Sequence, residues 1–298
     1  MEIDNLIKLL KKNNSEGDNK KEKNNKVIFN NDYNNKILKL ANEKEIIITN
    51  NEKINIIFGN DKNQILICKD LPNLKHIYNF YNLSKIKITN CHSLETIKSC
   101  PLLSLYINHC KKLKYLPYFD LESLKIFNMK NLDISQISTK LKYLQLKNTK
   151  IKIDLSIFIN LECLLINNCQ NIQYDKLKKL ENLKELYIIE NNDLKEIDND
   201  KIEFAFLKKC KNLYNVKLNS LCISVVSHCN SLISLSSKTN IINKCYWLKL
   251  SNKKLRSIIL IQKIIRYNQR KKIFLRKCLE TKSLIIEPKI FPIIFGYF

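Results

Sequence analysis

Glycine and proline are scarce in this chain, which has three glycines and five prolines in 298 residues. So little of either excludes a collagen-like polypeptide and one dominated by flexible linkers. Three glycines cannot build the phosphate-cradling loops of nucleotide enzymes, and neither G-x-x-x-x-G-K-[ST] nor G-x-G-x-x-G occurs. No stretch approaches the roughly 20 apolar residues that span a bilayer. The opening MEIDNLIKLLKKNN, with two early acids, does not read as a secretory signal. Close cysteine pairs are missing too, and with them the C-x₂₋₄-C spacing of a structural zinc site. Arginine is confined to Arg256, Arg266, Arg270 and Arg276.

What is present is lysine, asparagine and isoleucine, the usage of an AT-rich genome, and a formal net charge of +24. Such an excess attracts nucleic acid or anionic membrane, although codon bias accounts for part of it. With 45% hydrophobic residues the chain can bury a continuous core. Its 11 cysteines, an odd number, recur mostly at one repeat position. That pattern suits a reducing compartment better than a disulfide framework. A cytoplasmic location is expected, in the host cell if the source is viral.

An internal period organises the middle of the chain. One unit reads Leu83, Ile86, Ile88, Cys91, Leu94, Ile97, and the next reads Leu102, Leu105, Ile107, Cys110, Leu113, Leu116. Further units start at Leu121, Leu141, Leu161, Leu183, Ile202, Leu221 and Cys245, with starts 19 to 24 residues apart. A degenerate unit around Leu66, Cys68, Leu71, Leu74 and Ile77 precedes them. Alternate strand residues face opposite sides, so the apolar-x-apolar core of each unit predicts a short strand with two inward side chains. Strands are expected near residues 86, 105, 124, 144, 164, 186, 205, 224 and 248.

These residues resemble the leucine-rich-repeat family, pattern LxxLxLxxN/CxL, of the kind found in giant DNA viruses or AT-rich protists. Met129 and Lys253 depart from its ladder position. The resemblance implies an α/β solenoid with a curved parallel sheet and short extended or 3₁₀ segments on the convex side. One or two helical turns are expected over Asp175–Asn182, and a basic helix at the carboxy terminus. The organisation expected is a helical and polar leader over 1–36, a cap or degenerate repeat over 37–62, and the solenoid over 63–258. A basic helix over 255–282 and an apolar tail over 283–298 follow.

Chemistry is hard to find. The cysteines stand one repeat apart and read as small buried hydrophobes, so no metal and no cofactor are expected. His92, His109 and His228 adjoin ladder cysteines, but neighbours along a strand point apart and form no nucleophile–base pair. No enzyme activity is expected. The outward positions of successive strands include Lys85, Lys87, Ser104, Lys125, Gln145, Leu165, Ile189, Ile223, Val225 and Lys249. Among them stand the aromatics Tyr106, Phe127, Tyr143, Tyr187, Phe204, Phe206 and Trp247, a lysine-rich row turning apolar. Apolar patches of this kind mark interaction sites, so a protein partner is expected on the concave face of a monomer.

At the far end Ile261, Gln262, Arg266, Lys271 and Phe274 resemble the IQ motif gripped by calmodulin and related EF-hand proteins, with Tyr267 where the motif has glycine. The resemblance implies a calmodulin-like partner for a helix over 255–282, and every arginine of the chain falls in that stretch. The alternatives are a basic helix capping the solenoid and a basic segment that binds nucleic acid or anionic membrane.

Overall fold

The computed structural model describes residues 26–29, 36–40, 42–98, 101–219, 221–236, 239–243 and 245. Twelve strands form one sheet in chain order. They are Lys26–Phe29, Glu45–Thr49, Ile65–Lys69, Lys85–Thr89, Ser104–Asn108, Ser123–Phe127, Tyr143–Lys147, Cys163–Asn167, Glu185–Ile189, Phe204–Lys208, Ile223–Ser227 and Thr239–Asn243. Neighbours pair parallel and residue for residue: Leu124 lies opposite Leu105 on one side and Leu144 on the other. The second and fourth residues of the strands from Glu45–Thr49 to Ile223–Ser227 are buried, and the first, third and fifth face outward. Period-two alternation thus sets one wall of the core.

Between consecutive strands of this sheet the chain crosses to an opposite face. There Ile37–Lys39, Ile56–Phe58, His76–Tyr78 and Thr96–Ile97 form a four-stranded parallel sheet. Lys150–Ile153 pairs with Gln170–Ile172, and Glu196–Asn199, Asn215–Leu218 and Ser234–Ser236 form a further three-stranded sheet. Each circuit is therefore a coil with two faces and the core between them; the two circuits from Asn108 to Tyr143 carry only isolated bridges on the second face. Leu144, Leu146, Leu164 and Ile166 from one wall and Leu155, Phe158 and Leu177 from the other are all within 1% of full burial.

This architecture is a parallel β-solenoid, and it corrects the expected leucine-rich-repeat array of the α/β class. Among the described residues the longest helical segment is the 3₁₀ turn Tyr174–Lys179. It overlaps the helical turns expected over Asp175–Asn182, but it is six residues of 3₁₀ and not α-helix. Adjacent strands sit ~4.8 Å apart, whereas an α-helix with its side chains is about 10 Å across. Coils stacked at strand spacing on both faces leave no room for a helix per coil. The sheet also reaches further toward the amino terminus than the first recognised repeat, through Lys26–Phe29 and Glu45–Thr49. At the other end the last paired strand centres on Ile241. The expected strand near 248, the basic helix over 255–282 and the tail over 283–298 lie outside the described residues.

Each strand of the main sheet from Glu45–Thr49 to Ile223–Ser227 ends in a corner residue with left-handed backbone. Asn50, Asp70, Asn90, His109, Asn128, Asn148, Asn168, Glu190, Lys209 and His228 have φ between 50 and 59°. Asparagine tolerates this region better than other residues with a Cβ, and it does here what glycine does in chains that have more of it. The corner N–H still joins the ladder: that of Asn148 donates to the Asn167 carbonyl at 2.9 Å, and that of Asn168 to the Ile189 carbonyl at 2.9 Å. The amide side chains stack as well, Asn128 donating to Asn108, Asn148 to Asn128 and Asn168 to Asn148 at 2.8–3.1 Å. Elsewhere Asn73, Asn82, Asn160, Asn182 and Asn212 each donate to a backbone carbonyl 20 to 23 residues earlier, fastening one coil to the last. Asparagine abundance is in part structural.

Two outcomes follow for stability. Leu144→Asp places a carboxylate between Leu124 and Leu164, all fully buried; the uncompensated charge is expected to abolish the cooperative thermal transition seen by circular dichroism. Asn148→Ala is expected to cost about 1–2 kcal/mol in urea unfolding, because alanine lacks the amide that offsets left-handed strain and bonds Asn128 and Asn168. Asn148→Gly should cost less than Asn148→Ala.

Candidate binding face

The outward positions of the main sheet divide into two halves. In the first, cations and rings alternate across neighbouring strands. The Lys87 ammonium stands 5.2 Å from the Tyr106 ring centroid, and that of Lys125 stands 5.1 Å from Tyr143. In-register pairing puts Lys87 opposite Tyr106 and Tyr106 opposite Lys125, so each ammonium reaches a ring on an adjoining strand and is attracted by its quadrupole. Phe127 meets Tyr106 edge-on, with centroids 5.2 Å apart and planes at 74°. The Tyr143 hydroxyl donates to Gln145 Oε1 at 3.0 Å. Lys85 and Lys69 stand to either side of this row, at the first and fifth positions of their strands, and the row itself continues toward the amino terminus as Ile67.

The second half is apolar. Leu165, Tyr187, Ile189, Phe206 and Val225 form a buried cluster of their own, separate from the core, with Cys163 and Phe204 packed against it. Tyr187 lies 5.4 Å from Phe204 and 6.5 Å from Phe206, centroid to centroid. Its hydroxyl donates to Glu185 Oε2 at 3.2 Å. Burial, with the Glu185 carboxylate adding to it, pushes this phenol well above its usual range.

Six of the seven aromatic residues singled out in the sequence, Tyr106, Phe127, Tyr143, Tyr187, Phe204 and Phe206, therefore share a face, but in two groups. Trp247 lies outside the described residues, as do Ile261, Gln262, Arg266, Lys271 and Phe274. The expected function, recruitment of a protein on a concave repeat face beside a calmodulin-binding helix, is corrected on two counts. The face belongs to a β-solenoid sheet, and its apolar anchors Tyr187 and Phe206 are already buried, so they are not presented to a partner. Leu165, Ile189 and Val225 belong to the cluster as fully as the aromatics do. Their signal in the sequence is position: each occupies the third or fifth place of its strand.

His228 Nδ1 lies 2.6 Å from Ser227 Oγ, and His76 Nδ1 lies 2.8 Å from Thr96 Oγ1. No group of three or more His, Cys, Asp or Glu side chains among the described residues could hold a metal ion. His92 Nδ1 contacts the His109 carbonyl at 2.9 Å, and the two rings meet edge-on at 4.8 Å. They border a shallow polar groove with Asn50, Asp70 and Asn90. The ladder cysteines point inward, and Cys91, Cys110, Cys169 and Cys229 each donate to the carbonyl two residues back at 3.3–3.5 Å. All nine described cysteines are free thiols. Burial pushes the Cys91 thiol up to about 12 from an ordinary 9.0, and it raises Cys110 as well, so neither is a thiolate nucleophile at neutral pH. Among the described residues no helix is long and apolar enough to cross a membrane.

The raised thiol gives a pH dependence of definite sign. In the unfolded chain Cys91 loses its proton near 9, in the fold only near about 12. Its contribution to stability is complete below about pH 9 and is lost as pH rises through that window, at ~1.4 kcal/mol per pH unit. Urea midpoints measured from pH 8 to 11 should fall less steeply for Cys91→Ala than for the parent chain. Equal slopes would show that this thiol does not govern the alkaline limb. No family model, no curated protein and no solved structure matches this chain.

Proposed function

We propose that the chain is a non-catalytic binding rod whose lysine–tyrosine rows take an extended polyanion, single-stranded nucleic acid in particular. The observation that carries this reading is the run Lys87, Tyr106, Lys125 at one position of three adjacent strands, with Tyr143 two places off it on the fourth and both lysines held at 5.1–5.2 Å from a ring. Lys125 is itself mostly buried, so Lys87 and the two rings are the accessible part. A strand of nucleic acid laid across the sheet would meet a cation or a ring at every strand, ~4.8 Å apart. Ammonium groups neutralise phosphates, and aromatic rings stack bases of any identity. Lys69, with its side chain 58% exposed, and Lys85 widen the cationic track. The net charge of +24 raises the encounter rate with any polyanion.

A purely structural role for these rows would leave them solvated and interchangeable with other polar residues. The paired ring geometry favours a recognition role, because it pre-orders four long side chains on a rigid sheet. Nine free thiols among the described residues suit a reducing cytoplasm.

Fluorescence anisotropy of the full chain with labelled oligo-dT and oligo-U tests the proposal. Affinity should fall with salt, with a log–log slope of about −0.7 per phosphate contacted. Tyr106→Ala should weaken binding by ~1–3 kcal/mol, and Lys85→Glu with Lys87→Glu should weaken it further and flatten the salt slope. If these variants bind like the parent chain, the sheet face is not the site. Equal affinity for an acidic polypeptide such as poly-glutamate would remove base stacking from the account.

A further inference from the structure

Three cysteines near the carboxy-terminal end of the described solenoid stand in a row. Residue-for-residue pairing puts Lys208 opposite Ser227 and Ser227 opposite Asn243. Two residues on, the same register brings Cys210, Cys229 and Cys245 to one position of three consecutive coils. Strand spacing separates their Cα atoms by ~4.8 Å, inside the roughly 4.4–6.8 Å over which a disulfide closes. Each sulfur leans toward the coil before its own. Cys210 Sγ lies 3.7 Å from the Ile188 carbonyl, Cys229 Sγ 3.9 Å from that of Leu207, and Cys245 Sγ 3.9 Å from that of Val226. The thiols also bond one another, Cys245 to Cys229 and Cys229 to Cys210. Cys210 and Cys229 are fully buried, whereas Cys245 is only half-buried. Cys91 and Cys110 stack in the same register further back, both fully buried.

We propose that Cys229 and Cys245 are a redox site, a dithiol that a small-molecule disulfide converts into a covalent tie between two neighbouring coils. Cys245, the more exposed thiol, attacks the oxidant, displaces one thiolate and forms a mixed disulfide. Cys229 then attacks the Cys245 sulfur and displaces the second thiolate. One S–S bond forms in the protein as one breaks in the oxidant. Two electrons pass to the oxidant, and the two thiol protons end on the displaced thiolates. The hydrogen bond to Cys210, with burial, pushes the Cys229 thiol up to about 12, and the bond to Cys229, with burial, raises Cys245. Both are therefore thiols at neutral pH, and the reaction quickens as pH rises and the thiolate fraction grows. Stability in a stacked array is carried by the interfaces between coils. The new bond reinforces the interface where Thr239–Asn243 pairs with Ile223–Ser227. The site is independent of the nucleic-acid reading of the outward face.

Oxidised glutathione added to the full chain at about pH 8, followed by alkylation, trypsin digestion and mass spectrometry, tests the proposal. The expected product joins peptide 245–249, which holds Cys245, to peptide 218–238, with fragmentation placing the bond on Cys229 and not on Cys222. Cys91 and Cys110 should stay reduced under the same conditions. The oxidised chain should unfold at a higher urea midpoint than the reduced chain, and a reductant should restore the lower one. Cys245→Ser should remove both the linked peptide and the oxidant-dependent shift; should that variant fold poorly, the peptide map of the parent chain still decides. A glutathione adduct left on Cys245, a bond from Cys229 to Cys210, or a bond between two chains would each overturn the proposal. Oxidation of Cys91 with Cys110 at the same rate would overturn it too, because the exposure of Cys245 would then confer nothing.

Discussion

Everything in this molecule depends on one constraint, the residue-for-residue parallel pairing of each strand with the strand one coil away. Because the register never shifts along the main sheet, each position of the coil stacks on the same position of its neighbours. An inward leucine meets inward leucines, a corner meets corners, and an outward lysine meets whatever the next coil carries at the same place. A coil cannot bury its apolar wall alone, and stacking supplies the missing surface. The same rule that builds the core therefore writes rows of like or alternating residues on the exterior. The polar run Lys87, Tyr106, Lys125, Gln145 and the apolar run from Leu165 to Val225 are successive stretches of one such row.

The corners show how a chain with three glycines can turn at every coil. A left-handed residue recurs at each strand end, and the backbone N–H there continues the ladder instead of breaking it. Asparagine gives this conformation at small steric cost and offers an amide that bonds its counterpart one coil away. Glu190 and Lys209 take the same conformation without that advantage, and they form an ion pair across the corner at 2.7 Å. Partly exposed pairs of this kind contribute little on their own, so the strain at those two corners is carried chiefly by the coils on either side.

Strand positions and inward residues were legible in the sequence because period-two alternation and the coil length both survive in a single chain. Leu144 and Leu164 could be placed inside from spacing alone. The fold class could not. The pattern LxxLxLxx(Cys/Asn) reports one wall of a coil and a corner, and it is silent on whether the opposite wall is helix or strand. The units that end in Ile77 and Ile97 carry their last apolar residue within a strand of the second face. That residue is equally at home against a helix. The corner asparagines were hidden for a different reason: an asparagine-rich composition makes a recurring asparagine look like background. Only the coincidence of Asn128, Asn148 and Asn168 with the residue before each ladder position distinguishes them. Burial of the outer cluster was beyond reach, because Phe204 and Phe206 read the same whether a face is open or covered.

The two halves of the outward face also differ in what a solenoid needs of them. Stability in a stacked array is roughly a sum over coils and their interfaces, and an uncovered apolar row adds an aggregation hazard at each coil. The polar half is only partly in water: Lys87 and Tyr106 are half-buried, and Lys125 and Gln145 are buried. In the apolar half Leu165, Tyr187, Phe206 and Val225 are 2–7% exposed and pack into a cluster of their own. A row of Leu165, Tyr187, Phe206 and Val225 is thus better understood as a second core than as a surface awaiting a partner. That leaves the lysine–tyrosine half as the part of this sheet with chemistry to offer another molecule.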